Sequence, residues 1–229
     1  PLAVPSINDS EAFHQPWGVG TTVRVAATAN GVQVLPEGAA TVTVTERVGD
    51  VPFDVAADGF WQVHRNAATE FTRRALDILA PRAGEFLVDC YGGVGLFAKV
   101  FAPRLGAGGR LVVVEGDRAA ARLAKRNLRD LAHTEVVHDR VDRWLRTTRV
   151  TKADIVILDP PRTGAGKAVI PALCALRPRA VLYVACDPAS LARDVAIARE
   201  HGYHLTRLEA VDAFPHTAHV ETFALLEPR

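Results

Sequence analysis

Residue 186 is a cysteine placed where a reactive thiol could do chemistry. Cys186 ends the apolar run AVLYVAC and is followed by Asp187-Pro188 and a segment of helical character. A thiol at a strand end and just before a helix N-terminus is placed for thiolate stabilisation and nucleophilic attack. The other two cysteines, Cys90 and Cys174, belong to an apolar strand and an apolar helix. We interpret both as small core residues.

A second group of residues could bind a nucleotide-like ligand. The sequence DCYGGVGLF follows an apolar run, and its glycines let the backbone approach a ligand closely. Glu115 ends the next strand, where a carboxylate can accept hydrogen bonds from both hydroxyls of a ribose. The pattern suits a dinucleotide or S-adenosylmethionine, and a glycine turn without a ligand is the alternative.

Further features favour S-adenosylmethionine over a dinucleotide. The fingerprint G-x-G-x-x-G is incomplete, because Leu96, Phe97 and an alanine follow Gly95. Asp139 follows the next strand, where it could meet the adenine amino group, although an N-cap of the helix RVDRWLR is an equal alternative. The run from Asp159 to Arg162, Asp-Pro-Pro-Arg, predicts a rigid lip, because both prolines fix φ and lack a backbone donor.

Alternating strands and helices must position these side chains from about residue 60 onward. Short apolar runs such as EFLVDC, RLVVVEG and ADIVILD alternate with amphipathic segments such as DRAAARLAKRNLRDLA. This alternation predicts an α/β fold with a Rossmann-like, doubly wound, mostly parallel sheet. Only FPHTA connects the last two strands, so one of that pair should run antiparallel. Ligands of such sheets bind beyond the carboxyl ends of the strands.

The first 59 residues have a different character. The runs TTVRVAATA, GVQVLP and ATVTVTERV alternate apolar and polar residues, and Asn30-Gly31 is typical of a hairpin turn. We interpret residues 1–59 as a small β-rich module, the remnant of a larger domain, and residues 60–229 as a separate domain. The module carries a net charge of −5 and the rest carries +6. A basic surface suits a polyanion such as RNA, with an ordinary solvated surface as the alternative.

Composition excludes several classes of protein. With 48% hydrophobic and 23% charged residues among 229, the chain is not disordered, collagen-like or a coiled coil. It contains no apolar run of about 18 residues, so no membrane span is expected. Three cysteines are too few for a disulfide framework or a four-cysteine metal site, so we expect no metal and a reducing cytoplasm. The chain starts with proline and lacks methionine, which suggests a fragment. We expect a monomer.

Several motifs together resemble one enzyme family. They are Phe60-x-Gln62, DCYGGVGLF, Glu115, LDPPRTGA, YVACDPASLARD and DAFPHTAHVE. Their order and spacing resemble those of the RNA uracil-C5 methyltransferases, which make 5-methyluridine in tRNA and rRNA. The resemblance covers about residues 60–229, and the last three motifs are specific in combination.

The resemblance implies S-adenosylmethionine as methyl donor and tRNA or rRNA as partner. Cys186 would add to carbon 6 of uracil, and Glu221 would remove the proton from carbon 5, although a solvated strand carboxylate is the alternative for Glu221. The residues that it implies around the cofactor are Gln62, Tyr91, Gly93, Gly95, Leu96, Glu115, Asp159 and, more weakly, Asp139. Those that it implies around the uracil are Arg162, Phe214, His216 and Thr217. A stacked target base would have to be flipped out.

Some positions depart from the family's usual residues. Gly92 stands where a cysteine is usual, His64 where an asparagine is frequent, and Ala185 where a serine precedes the nucleophile. Asp187 replaces an asparagine, and its carboxylate would by itself raise the pKa of the adjacent thiol. Many relatives carry an N-terminal RNA-binding barrel and a four-cysteine iron–sulfur motif. Neither is visible here, and we expect no iron–sulfur cluster in this chain.

Other functions stay open on the sequence. One is methylation of another RNA base position, although amino-methylating enzymes commonly have an aromatic residue where Arg162 stands. Another is a non-catalytic fragment that binds RNA or the cofactor, which Leu96 and the missing N-terminal features would suit. An oxidoreductase is disfavoured by the absent third glycine.

Overall fold

The computed structural model describes residues 5–214, 216–217 and 219–229. The chain divides into two units, Pro1–Trp61 and Gln62–Arg229. Among the described residues, no helix is long and apolar enough to cross a membrane. That the first unit is a remnant of a larger domain stays a prediction.

The first unit contains two antiparallel hairpins. A short helix, a 3-10 turn and four strands follow one another as α1 (Pro5–Asn8), Glu11–Phe13, β1 (Val23–Thr28), β2 (Gly31–Pro36), β3 (Thr43–Val48) and β4 (Val51–Ala56). The Asn30-Gly31 turn joins β1 to β2 as predicted, and Gly31 has a φ of 101°. The sequence analysis missed β4. A two-residue turn pairs Val48 with Val51, so β4 forms beside β3 although it contains a proline.

The second unit alternates strands and helices. Its strands are β5 (Phe86–Cys90), β6 (Arg110–Glu115), β7 (Thr134–His138), β8 (Ile155–Leu158), β9 (Ala180–Ala185), β10 (Tyr203–Val211) and β11 (Glu221–Pro228). Its helices are α2 (Ala67–Leu79), α3 (Leu96–Leu105), α4 (Arg118–Asn127), α5 (Val141–Thr147), α6 (Ile170–Cys174) and α7 (Pro188–Glu200). Each predicted apolar run of this unit contains one of these strands.

The described strands of this unit form one seven-stranded sheet in the order β10-β11-β9-β8-β5-β6-β7. Pairing from β9 through β7 is parallel, whereas β11 runs antiparallel to both β9 and β10. The structure therefore confirms the predicted doubly wound sheet and the antiparallel strand in its last pair. It also shows that β11 inserts between β9 and β10.

Both faces of the central parallel strands β8 and β9 are buried, as expected for parallel strands covered by helices. In β8, Val156 and Leu158 pack into one hydrophobic cluster, and Ile155 and Ile157 pack into the other. The first cluster includes side chains of α5, α6 and α7, and the second includes those of α2 and α3. These two cores hold the strand ends in place for the site described next.

Aspartates cap α4 and α7, the helices that follow β6 and β9. Asp117 Oδ1 accepts a hydrogen bond of 2.8 Å from Ala120 N at the start of α4. Asp187 Oδ1 accepts one of 2.7 Å from Ser190 N at the start of α7, where Pro188 suits the first helical position. The caps fix where each strand ends and each helix begins.

Candidate active site

The candidate residues gather at one edge of the large sheet. The parallel strands β5, β6, β8 and β9 end there, and the antiparallel β11 begins there. Cys90, Glu115, Asp159 and Cys186 therefore share an edge with Glu221. The direction of β11 is what brings its first residue to the carboxyl ends of its neighbours.

The glycine loop after β5 depends on unusual backbone conformations. Tyr91, Gly93 and Gly95 have φ angles of 61°, 55° and 89°. A Cβ added to Gly92 would lie 2.5 Å from Cγ1 of Val113, which is closer than packed atoms approach. The loop therefore has room for no side chain at Gly92, and its backbone amides stay close to the end of β6.

Glu115 is tied to this loop by backbone amides. Its Oε2 accepts a hydrogen bond of 2.8 Å from Gly93 N, and its Oε1 accepts one of 2.6 Å from Asp117 N. Each carboxylate oxygen has two lone-pair directions, so both retain capacity for a further donor such as a hydroxyl. The half-buried carboxylate is thus oriented before any ligand arrives.

The sequence analysis did not single out Asp89, the second-last residue of the buried strand β5, which precedes the glycine loop. Its side chain is 0% exposed, and its Oδ2 accepts a hydrogen bond of 3.2 Å from Ala98 N. Its Oδ1 is buried without a hydrogen-bond partner among the described residues. Burial raises the pKa of Asp89 to about 8, with smaller contributions from Asp159 and Glu115. An orphaned buried oxygen points to a missing partner.

Three predicted cofactor residues lie at the margin of this group. Leu96 begins α3 with its side chain 8% exposed, so it is largely packed into the protein. Gln62 is half-buried ahead of α2, and within the described chain it makes no hydrogen bond to the glycine loop. Asp139 accepts a hydrogen bond from Arg143 and one of 2.7 Å from Arg140 N. Their cofactor roles stay predictions.

The alternative interpretation of Asp139 as the N-cap of α5 is wrong. Arg140 is the N-cap residue, with extended backbone angles of −67° and 137°. The chain continues one residue further in extended conformation than the sequence suggested, because β7 ends at His138 and Asp139 N bonds to the carbonyl of Glu115.

The Asp-Pro-Pro-Arg run follows β8 at the centre of the edge. Asp159 N donates a long hydrogen bond of 3.4 Å to Cys90 O, and Pro160 is buried behind it. Burial raises the pKa of the half-buried Asp159 to about 7. Arg162 is exposed at the end of the run and acts electrostatically on Cys186. The run therefore connects the glycine-loop side of the edge with the thiol side.

Cys186 and Glu221 lie at the paired ends of β9 and β11. The register pairs Ala185 with Thr222, and Thr222 Oγ1 donates a hydrogen bond of 2.7 Å to Ala185 O. Cys186 follows the last residue of β9 and Glu221 begins β11, so both lie next to this pair, and Glu221 acts electrostatically on the thiol. The thiol is half-buried and Glu221 is 5% exposed.

Burial shifts the proton equilibria of this pair. It raises the pKa of Glu221 to about 8, helped by the nearby Asp159 carboxylate. Burial also raises the pKa of the Cys186 thiol, as do Glu221 and Asp159, whereas the Arg162 cation lowers it. A carboxyl group with a pKa near neutrality is suited to accept or release a proton during a reaction.

The predicted effect of Asp187 on the thiol stays a prediction. Its carboxylate caps α7, and the backbone hydrogen bond from Ser190 holds the pKa of Asp187 below its ordinary value. The largest causes of the raised pKa of Cys186 are burial and then the Glu221 carboxylate, which belongs to a neighbouring strand.

The segment after β10 folds into a turn near the start of α7. Thr217 Oγ1 and N donate hydrogen bonds of 2.7 and 3.2 Å to Phe214 O, and His216 has a φ of 64°. The ring of Phe214 packs edge-on to His219 at 6.3 Å, and His219 helps to lower the pKa of Asp187. Phe214, His216 and Thr217 are thus near the thiol side, whereas Pro215 and Ala218 of this segment lie outside the described residues.

Comparisons with known proteins find similar RNA methyltransferases. A family model described as tRNA (uracil-5-)-methyltransferase matches residues 120–229. An uncharacterized RNA methyltransferase of Streptomyces avermitilis is 42% identical over 185 residues, which cover 81% of this chain and 43% of that protein. One from Streptomyces coelicolor is 40% identical, covering 81% of this chain and 40% of the relative. The chain thus spans less than half the length of these two relatives.

Two solved structures are also similar to this chain. The Pyrococcus abyssi tRNA (uracil-54, C5)-methyltransferase in complex with S-adenosyl-L-homocysteine is similar with a TM-score of 0.68 and 30% identity, covering 80% of this chain and 44% of that one. M. jannaschii TYW2 in complex with AdoMet has a TM-score of 0.62 at 14% identity, covering 91% of this chain and 100% of that one. The second likeness concerns the fold alone.

Proposed function

We propose that this chain, which a tRNA (uracil-5-)-methyltransferase family model matches over residues 120–229, transfers a methyl group from S-adenosylmethionine to carbon 5 of a uridine in tRNA or rRNA. The observation that carries this proposal is that the register of β9 and β11 pairs Ala185 with Thr222, so that Cys186 and Glu221 follow at neighbouring strand ends, and Glu221 acts electrostatically on the thiol. A nucleophile and a proton acceptor on adjacent strands are what substitution at an unreactive ring carbon requires.

The glycine-loop side of the edge fits S-adenosylmethionine. The positive φ angles of Gly93 and Gly95 shape a loop that packs directly against Val113, and the buried Oδ1 of Asp89 behind it has no hydrogen-bond partner among the described residues. Glu115 is oriented to accept hydrogen bonds from ribose hydroxyls. Asp159 is half-buried at this edge with a pKa raised to about 7, and a cationic ligand beside it would favour its ionised form. When bound, the cofactor supplies an electrophilic methyl group on a sulfonium.

Cys186 starts the reaction on the substrate. Its thiolate adds to carbon 6 of uracil, which forms a C–S bond and moves the ring electrons into an enolate whose carbon 5 is nucleophilic. After carbon 5 has gained the methyl group, Glu221 accepts the proton that this carbon still carries. The electron pair of that C–H bond re-forms the ring double bond and expels the Cys186 thiolate. Burial suits Glu221 to this task by raising its basicity.

Arg162 and the turn at residues 214–217 would contact the uracil. Arg162 is exposed beside the thiol, and Phe214 and Thr217 shape the turn near α7. A base enclosed between them must leave its stack, so we expect a flipped base or a single-stranded loop as substrate. The three free cysteines suit a reaction in a reducing compartment such as the cytoplasm.

The test is methyl transfer to RNA from cells that lack the gene, with methyl-labelled S-adenosylmethionine. We expect labelled 5-methyluridine by nucleoside mass spectrometry. Cys186→Ala should lower the rate by at least about 10³-fold, because the covalent route is lost. Cys174→Ala, which alters a half-buried helix cysteine away from this edge, should leave the rate within about twofold.

Three outcomes contradict the proposal. Label in a different nucleoside would show another methylation position. Labelled 5-methyluridine formed equally well by Cys186→Ala would exclude the covalent mechanism. Cofactor binding without any transfer would identify a binding fragment.

A further inference from the structure

A buried carboxylate outside the proposed chemistry holds the loop that carries Arg162. Asp194, on α7, is 0% exposed. Its Oδ2 accepts hydrogen bonds of 2.7 Å from Ala165 N, 3.0 Å from Gly166 N and 2.7 Å from the Tyr183 hydroxyl. These bonds join the loop after β8 to a strand and a helix that both adjoin Cys186.

Arg193 completes this arrangement. Its guanidinium donates to Asp194 Oδ1 at 3.0 and 2.9 Å and to the Thr163 carbonyl at 2.8 Å. The Tyr183 hydroxyl also accepts a hydrogen bond of 3.0 Å from Ala165 N. We name Asp194, Tyr183 and Arg193 the Asp194 cluster. Its hydrogen bonds hold Asp194 ionised, and they lower its pKa despite burial.

Gly164 shows how closely the loop fits against this cluster. A Cβ at Gly164 would lie 2.3 Å from Nη2 of Arg193 and 2.7 Å from Oδ2 of Asp194. Its φ of +77° is also one that other residues rarely adopt. The loop therefore has one well-defined position, with no side chain between it and α7.

Arg162 lies inside the segment that the cluster holds. Gly164 N donates a hydrogen bond of 2.8 Å to Pro161 O, so residues 161–164 form a turn with Arg162 at its second position. The prolines restrict the backbone before Arg162, and the Asp194 cluster fixes it from Thr163 onward. Cys186 precedes Asp187, the N-cap of α7, so one helix positions both the thiol and the loop that carries the cation.

We propose that Asp194 is a positioning residue that holds the loop so that Arg162 faces Cys186 and the target base. This inference rests on the proposed function for its effect on methyl transfer, whereas its effect on the thiol needs neither RNA nor cofactor. An exposed arginine on an unrestrained loop would lose rotational freedom on binding the base, and the preformed loop avoids that cost.

The charged groups around the thiol define the sign of the expected change. Glu221 and Asp159 raise the pKa of Cys186, and Arg162 lowers it. The Asp194 charge also reaches the glycine loop, where it contributes to the raised pKa of Tyr91. Removing the negative charge of Asp194 would, through charge alone, lower the thiol pKa. Releasing Arg162 would raise it, so the two explanations predict opposite shifts.

The experiment measures alkylation of Cys186 by iodoacetamide as a function of pH, with peptide mass spectrometry reporting this cysteine apart from Cys90 and Cys174. Asp194→Asn, Arg162→Gln and the double variant are compared with the unaltered chain. We expect both single variants to move the alkylation midpoint to higher pH. The double variant should match Arg162→Gln, because Asp194 acts through Arg162.

Methyl transfer provides the second readout. Asp194→Asn should lower kcat by about tenfold or more, since small displacements of positioned groups are costly, and should leave the affinity for S-adenosylhomocysteine within about twofold. If Asp194→Asn does not fold, Tyr183→Phe removes one donor from the cluster and should give the same midpoint shift at smaller size.

An unchanged or lowered midpoint, or shifts that add in the double variant, would overturn the inference. If the variants show the expected shift in the pH midpoint of Cys186 alkylation but the unaltered chain forms no 5-methyluridine, the positioning role stands and the proposed function is refuted. The two failures are therefore distinguishable.

Discussion

The two halves of the site edge are held in place by different means. On the side of β5 and β6, backbone amides hold Glu115 and positive φ angles shape the glycine loop. On the side of β9 and β11, a strand register and burial bring Cys186 and Glu221 together and shift their pKa values upward. The first half has the character of a binding surface, and the second has that of a site for proton chemistry.

Asp159 lies between the two halves and acts on both. Its charge contributes to the raised pKa of Asp89 on one side and of Glu221 on the other. A cationic ligand near Asp159 would favour its ionised form and change the field at Glu221. We therefore expect ligand binding in the first half and proton transfer in the second to be electrostatically linked through Asp159.

Among these variants, Glu221→Gln should produce the largest difference between loss of methyl transfer and loss of cofactor binding. Loss of the proton acceptor should lower methyl transfer by about 10²–10⁴-fold, while affinity for S-adenosylhomocysteine measured by calorimetry stays within about twofold. The covalent Cys186–RNA adduct should accumulate on denaturing gels, because its release needs that proton removed. If the variant turned over at the normal rate without adduct, another group would be the base.

The pH dependence of Glu221 follows from its direction of shift. Its pKa is raised from 4.5 to about 8, so the folded state retains the proton longer than the unfolded state. The free energy of unfolding should therefore fall as pH rises from about 4.5 to about 8, and Glu221→Gln should remove up to a few kcal/mol of this loss. In the same range, adduct release by the unaltered chain should accelerate as the carboxylate forms. Glu200→Gln, an exposed change on α7, is the matched control.

Gly92→Ala tests the binding half. The added Cβ would lie 2.5 Å from Val113 Cγ1 and 3.2 Å from the Asp89 carboxyl. Overpacking of this kind costs about 1–3 kcal/mol of folding free energy, and the displaced loop should also weaken S-adenosylhomocysteine binding. Chemical denaturation and calorimetry measure the two effects. Gly108→Ala, whose Cβ would meet only Gly84 Cα at 3.8 Å, should change neither. Unaltered binding in Gly92→Ala would argue against a ligand at this loop.

Glu115→Gln should have the smallest effect. The new amide group cannot accept both the Gly93 and Asp117 hydrogen bonds, so the side chain loses its orientation toward a ribose. We expect the dissociation constant of S-adenosylhomocysteine to rise by about tenfold, with no change in the alkylation midpoint of Cys186. Glu135→Gln on the neighbouring β7 controls for charge alone. A shift of the thiol midpoint would show that the halves are not separable.

Local signals in the sequence predicted much of the binding half. Hydrophobic alternation identified the strands of the large sheet, and the glycine run with Glu115 identified the loop and the carboxylate that it holds. These features depend on neighbours in sequence or on one βαβ unit. Where local signals were ambiguous, as for the cap of α5 and the proline-containing β4, the expectation was wrong or missing.

The amino-acid sequence alone determined the order of strands and helices, the glycine loop and the position of Cys186 before a helix. Only the tertiary structure decided that β11 inserts beside β9, that Glu221 therefore lies buried near Cys186, and that Asp194 holds the Arg162 loop. The physical reason is that register and burial arise from contacts between distant segments. The raised pKa of Glu221 comes from that burial and from Asp159, which is distant in the sequence.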